Sequence, residues 1–122
     1  MDKAAELYKV LIDELVKLSK HSVGADNVRK GRVPAADSEK INRVPAMLSS
    51  ADREVLAAFV ADEYFSGIFD VLDLPEWYIN CRDMKISVDG EILPTEKFEG
   101  MPNDLIGRRD GWEFPDDEPN NN

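Results

Sequence analysis

The stretch from residue 48 to residue 81, LSSADREVLAAFVADEYFSGIFDVLDLPEWYINC, constrains the fold more than any other part of the chain. Ser49 is placed to cap a helix, with Asp52 three residues on as a short-armed capping box. Asp52 and Glu54 also suit the positive end of a helix. At helical spacing Val55, Leu56, Phe59 and Val60 form one apolar stripe. Around Ser66-Gly67 the stripe changes phase, and Phe65, Ile68, Phe69 and Leu72 lie on a different side. One straight helix cannot turn both sets toward one core. The helix must break or kink at Ser66-Gly67, or be buried on two sides, and a broken central helix is the expectation. Pro75 has no N–H and stops or bends whatever continues. It also suits the first position of a further helical turn over PEWYINC.

Before this stretch, residues 2–21 read as an amphipathic helix. At about 100° per residue, Leu7, Tyr8, Leu11, Ile12, Leu15, Val16 and Leu18 share one half, and Lys3, Glu6, Lys9, Asp13, Glu14, Lys17 and Lys20 share the other. Val10 is the apolar residue out of place, and Gly24 is a suitable stop. Residues 24–46 lose the periodicity and read as a long connection with a short helix near 37–43. This segment carries the compact basic cluster Arg29, Lys30 and Arg32, a solvated loop in the plain reading and a weak phosphate site in the sharper one.

After the central helix, MKISVDGEIL reads as a hairpin. Its strands turn at Asp89-Gly90, a pair suited to the positive φ of a type I′ turn. Two strands alone are marginal in water, so the hairpin must pack on helices. PNDLIGRR then suggests a short helix capped by Asn103. Asp110-Gly111 makes another turn, which aims Trp112 and Phe114 at one place. The expected fold is α+β and mainly helical. It has a long N-terminal helix, a broken central helix, one small β-hairpin, and a C-terminal short helix and clasp. One globular domain is expected over residues 1–118, with a disordered tail at 119–122.

Charge narrows the function classes. The chain has a net charge of −10, and residues 51–122 carry six Lys/Arg against eighteen Asp/Glu. Such a half repels nucleic acid and anionic membranes, so neither is an expected partner. It favours a basic protein partner, while the plainer reading of the acidity is solubility. No apolar run approaches the roughly 20 residues of a membrane span, and the N-terminus lacks a signal-peptide core. With a single cysteine, a cytoplasmic location is the expectation.

The residues argue against several chemistries. His21 and Cys81 are the sole histidine and cysteine, and no Gly-x-Ser-x-Gly elbow is present. Cys81 reads as a small buried hydrophobe, and His21 as a favourable charge near a helix C-terminus. Zinc and calcium ligand spacings are missing, as are Gly-rich nucleotide motifs, so no metal or cofactor is expected. Two candidate sites remain. Trp77, Trp112 and Phe114, with Arg108 and Arg109, have the composition of an interface. The competing reading is that Trp112 and Phe114 plug the C-terminal segment onto the core, with both arginines paired to local acids. The alternative site is a carboxylate group of Glu63, Asp70 and Asp73.

Ser-Ser-Ala-Asp-Arg-Glu-Val-Leu, Gly-Ile-Phe-Asp-Val-Leu and Gly-Arg-Arg-Asp-Gly-Trp-Glu-Phe-Pro follow one another within residues 45–118. In that order they resemble small uncharacterised bacterial proteins classed as a domain of unknown function. Such proteins are similar in size and acidity to immunity proteins of bacterial toxin systems. The resemblance implies no catalytic residue. The leading expectation is a non-enzymatic protein-binding domain, an immunity-type antagonist of a basic partner. A small hydrolase or ligand-binding protein and a structural homodimer stand as alternatives.

Overall fold

A computed structural model describes residues 2–34 and 38–115. The elements run α1 (Lys3–Ser19), α2 (Val23–Lys30), α3 (Ser38–Met47), α4 (Ser50–Arg82), β1 (Ser87–Val88), β2 (Glu91–Ile92) and α5 (Met101–Arg109). The fold is mainly helical with one small antiparallel hairpin. The stretch expected as a long connection has its short helix, α3, close to where it was expected but also holds nearly all of α2, and Gly24 lies inside α2 rather than stopping α1. The expected tail at 119–122 lies outside the described residues.

The chain divides into two compact units, one of Met1–Leu18 and Ile68–Asn122, the other of Ser19–Gly67. In the first unit α1 buries Ala5, Tyr8, Ile12 and Val16, one face at helical spacing. Leu18, expected on that face, is exposed, as is Val10. Lys9, expected on the polar half, is buried. Its stem runs along apolar surface while Nζ reaches Glu6 Oε1 at 3.4 Å and lies 5.5 Å from the Phe114 ring centre. Leu72, Leu93, Met101, Leu105 and Phe114 complete this core.

The hairpin has the expected register. Ser87 pairs with Ile92 and Val88 with Glu91, around Asp89 (φ 52°) and Gly90 (φ 78°). Helix α5 begins differently from expectation. Gly100, at φ 92°, precedes it, and Asn103 does not cap it but donates to the Glu99 carbonyl at 3.2 Å. Its C-terminus closes as a Schellman turn around Gly111 (φ 91°): Trp112 N–H donates to Gly107 O at 2.8 Å and Gly111 N–H to Arg108 O at 3.2 Å.

In the second unit Ser22 caps α2 by accepting from Ala25 N–H, and Gly31 (φ 71°) ends it. The basic cluster therefore lies at the end of a helix, not in a loop. Arg29 is held by Glu54 at 3.0 Å and Asp26 at 3.2 Å. Asn42 brackets Val33, accepting from its N–H at 2.5 Å and donating to its carbonyl at 3.2 Å. Arg53 Nε donates to Pro45 O at 2.9 Å.

Helix α4 runs unbroken for 33 residues, so the expected break at Ser66-Gly67 does not occur. Ser49 does cap it, its hydroxyl accepting from Asp52 N–H at 3.1 Å. The phase conflict disappears because Val55 and Phe59 are exposed. The residues that α4 does bury, Ala57, Phe65 and Leu72, fall within about one quadrant of the helix at 3.6 residues per turn. Pro75 sits inside the helix and removes one hydrogen bond without ending it.

Candidate functional site

Three parts of the first unit combine charge, aromatic groups and defined geometry. The deepest lies at the start of α5. Asp104, 0 % exposed, folds back so that Oδ1 accepts from Glu99 N–H at 3.0 Å and Oδ2 accepts from the Tyr8 hydroxyl at 2.5 Å. Glu76, on α4, packs against Gly100 so closely that a Cβ there would lie 1.9 Å from Oε1. Gly100 is thus required twice, for its positive φ and for its missing side chain.

The titration behaviour follows from this burial. Desolvation raises the Asp104 carboxyl above its ordinary value, against the lowering by the hydrogen bonds from Tyr8 and Glu99. Glu76 is raised mainly by burial and then by the neighbouring charges of Asp73, Asp104 and Glu96. Burial, then the bond to Asp104, raises the Tyr8 phenol. A raised carboxyl beside a tyrosine has the chemistry of a general acid. Asp104, however, has no exposed surface and both of its oxygens accept within the fold. It acts as a lock between α1 and α5.

The second part is the clasp. Arg108 Nε and Nη2 donate to the two carboxylate oxygens of Asp13 at 2.8 and 3.2 Å, and Nη1 donates to the Trp112 carbonyl at 2.6 Å. Its guanidinium carbon lies 4.8 Å from the centre of the Phe114 ring. Phe114 is 2 % exposed and meets Phe98 at 4.9 Å and Trp112 at 5.4 Å between ring centres. Trp112 lies against Gly107, where a Cβ would be 3.2 Å from its ring. The C-terminal clasp is therefore present. Arg109 pairs with the adjacent Asp110 at 3.1 Å, as expected of a local pair, whereas Arg108 reaches back to α1.

The third part is the outer face of α4. Val71, Leu74, Tyr78 and Cys81 recur at spacings of three and four, with Trp77 at the border. Leu74 is 62 % and Trp77 49 % exposed, and Trp77 meets Tyr78 edge to face at 5.0 Å. Cys81, expected to be buried, is exposed on this face. The opposite face carries the buried Leu72 and the half-buried Ile79. Asp70 and Asp73 stand exposed beside the apolar residues.

Of the sequence candidates, Trp112, Phe114, Arg108 and Arg109 thus lie at the clasp, and Trp77 alone stands on an open apolar face. Asp70 and Asp73 are exposed in the first unit. Glu63, exposed in the second, lines a groove of ≈ 450 Å³ with His21, Tyr64 and Val60. Among the described residues, no group of three or more His, Cys, Asp or Glu is placed to hold a metal ion. Sequence reasoning missed Tyr8, Glu76, Phe98 and Asp104. The one available signal was Gly100 immediately before a helical start with an acid in its first turn.

The architecture defines a mainly helical protein with a small hairpin and an aromatic C-terminal clasp. The chain belongs to the family of unknown function DUF6547, whose model it matches over residues 1–116. No curated protein and no solved structure matches the chain. Among the described residues no helix is long and apolar enough to cross a membrane.

Proposed function

We propose that this chain is a non-enzymatic binding domain that docks the outer face of α4 onto a basic protein partner. The observation that carries this reading is the run Val71, Leu74, Trp77 and Tyr78, exposed on the side of α4 away from Leu72. Contiguous exposed apolar residues rimmed by charge mark association surfaces, and large aromatics are their usual anchors. Asp70 and Asp73 flank the run, and residues 51–122 carry a strong acidic excess. Charge of that sign speeds encounter with a basic protein, while the apolar anchors set the lifetime. A second copy would bring another −10 against the same face, which disfavours a homodimer. Small size and acidity also fit an antagonist that blocks its partner in the manner of bacterial immunity proteins. The hydrolase alternative draws on Glu63, Asp70 and Asp73, which are solvated carboxylates lacking the burial that tunes a catalytic acid.

Affinity capture from the native host with wild-type and Leu74→Asp baits tests the reading. A basic protein held by the wild type, released by salt and lost with Leu74→Asp is the expected result. An identical set of proteins on both baits overturns it. So does light scattering that gives a concentration-dependent dimer abolished by the same substitution.

A further inference from the structure

A cleft of ≈ 430 Å³ lies where the C-terminal turn of α4, the start of the hairpin and the segment after β2 meet. Its size falls within the range of small-molecule sites. It is lined by apolar groups, among them Ile79 and the buried Leu93, and by two carboxylates and two amines: Asp83, Glu96, Lys85 and Lys97. In a chain of net charge −10 this lining is locally balanced.

Asp83 is the first residue beyond α4. It holds φ 56°, the left-handed region that glycine fills without strain. A non-glycine residue there costs roughly 1–2 kcal/mol, less for aspartate than for most. Asp83 follows Arg82, the last residue of α4, where a left-handed residue ends the helix, and its exposed side chain pairs with Lys85 Nζ at 3.2 Å. An exposed ion pair of this kind contributes little to stability and exchanges readily for a better partner.

We propose that this cleft binds a small zwitterion with an apolar side chain, the class of free aliphatic amino acids and their dipeptides. The ligand's ammonium takes the Asp83 carboxylate, beside Glu96 and the negative end of the α4 dipole. Its carboxylate takes Lys85, and its side chain covers Ile79 and Leu93. One exposed ion pair is thereby exchanged for two, with no net charge brought into the cleft. A ligand bearing only one of the two charges leaves either Asp83 or Lys85 unmatched. The cleft is separate from the outer face of α4, whose residues do not line it.

The test is an amide-resolved NMR titration of the full chain with leucine and leucyl-leucine, set beside leucinamide and 4-methylpentanoate, which each lack one charge. Saturable shifts confined to residues 79–97 are expected for the zwitterions, with a Kd of about 1 mM or tighter. Each singly charged analogue and Lys85→Met are expected to weaken binding about tenfold. Asp83→Gly relieves the backbone and raises the melting temperature while losing the ligand, so failed folding cannot explain the loss. No saturable shift with either zwitterion overturns the proposal. Equal binding of all four probes, or unchanged binding by Asp83→Gly, also overturns it.

Discussion

The Tyr8 hydroxyl donates to Asp104 at 2.5 Å, joining residues 96 positions apart in the chain. Tyr8→Phe deletes the donor and leaves a buried carboxylate oxygen without it. Leaving such a group unpaired costs about 1–3 kcal/mol, so urea denaturation of Tyr8→Phe should show a loss in that range. Asp104→Leu removes the acceptor and Tyr8→Phe the donor. The double variant should then lose less than the sum of the two single variants, because the partners share one interaction.

The raised carboxyls make stability depend on pH in a defined direction. Glu76 and Asp104 hold their protons more tightly in the folded state than unfolded. Their favourable contribution is therefore fully present below the unfolded values and is lost as pH rises through the folded ones. For Glu76 that window opens at its ordinary value of 4.5 and extends upward. The wild type should gain stability when taken from pH 7 to pH 5. Glu76→Gln, which cannot titrate, should gain measurably less over the same interval.

Gly100 and Gly107 should rank differently. Gly100→Ala meets both a φ of 92° and a Glu76 oxygen at 1.9 Å. Roughly 1–3 kcal/mol follows from the backbone alone, and the contact adds to it. Gly107→Ala meets the Trp112 ring at 3.2 Å in an ordinary helical conformation. Thermal melts should place Gly100→Ala well below Gly107→Ala, and Glu76→Ala should restore part of the first loss but not all of it.

The clasp should be worth more than its position near the chain end suggests. Phe114 fills a site among Phe98, Trp112 and Arg108, and Phe→Ala in a packed core costs about 3–5 kcal/mol. Phe114→Ala and Trp112→Ala should both lower the melting temperature. Leu74→Ala and Trp77→Ala, on an exposed face, should stay within about 0.5 kcal/mol of the wild type. An unchanged melting temperature in Trp112→Ala would remove the clasp.

Local chemistry was legible in the sequence at several positions that depend on near neighbours, though not at Asn103 or Gly24. Ser49 as a cap, Asp89-Gly90 as a hairpin turn and Asp110-Gly111 as a helix-ending turn all follow from side chains acting within five residues. Long-range partners were not legible. Nothing near Arg108 in sequence distinguishes Asp13 from its other acids, and Gly100 ahead of a helical start marks Asp104 among twenty-five carboxylates only as a first-turn acid, not as one bonded to Tyr8. The break expected in α4 failed for a related reason. Periodicity counts every large apolar residue as inward, whereas Val55 and Phe59 of the first stripe face out. Once they are set aside, the smaller Ala57 joins Phe65 and Leu72 on a single face. The connection expected at 24–46, with a short helix near 37–43, hid α2 because its capping Ser22 and closing Gly31 flank few large apolar residues.

The outer face of α4 also equips the molecule with its own reporter. Cys81 is the sole thiol in the chain and is exposed. A maleimide or bimane fluorophore will therefore attach at one place, without any engineered cysteine. Trp77 stands four residues earlier, one helical turn away, within reach for quenching of bimane by its indole. A molecule that covers this face separates dye from ring or shields both, and the change in emission registers its arrival before its identity is known.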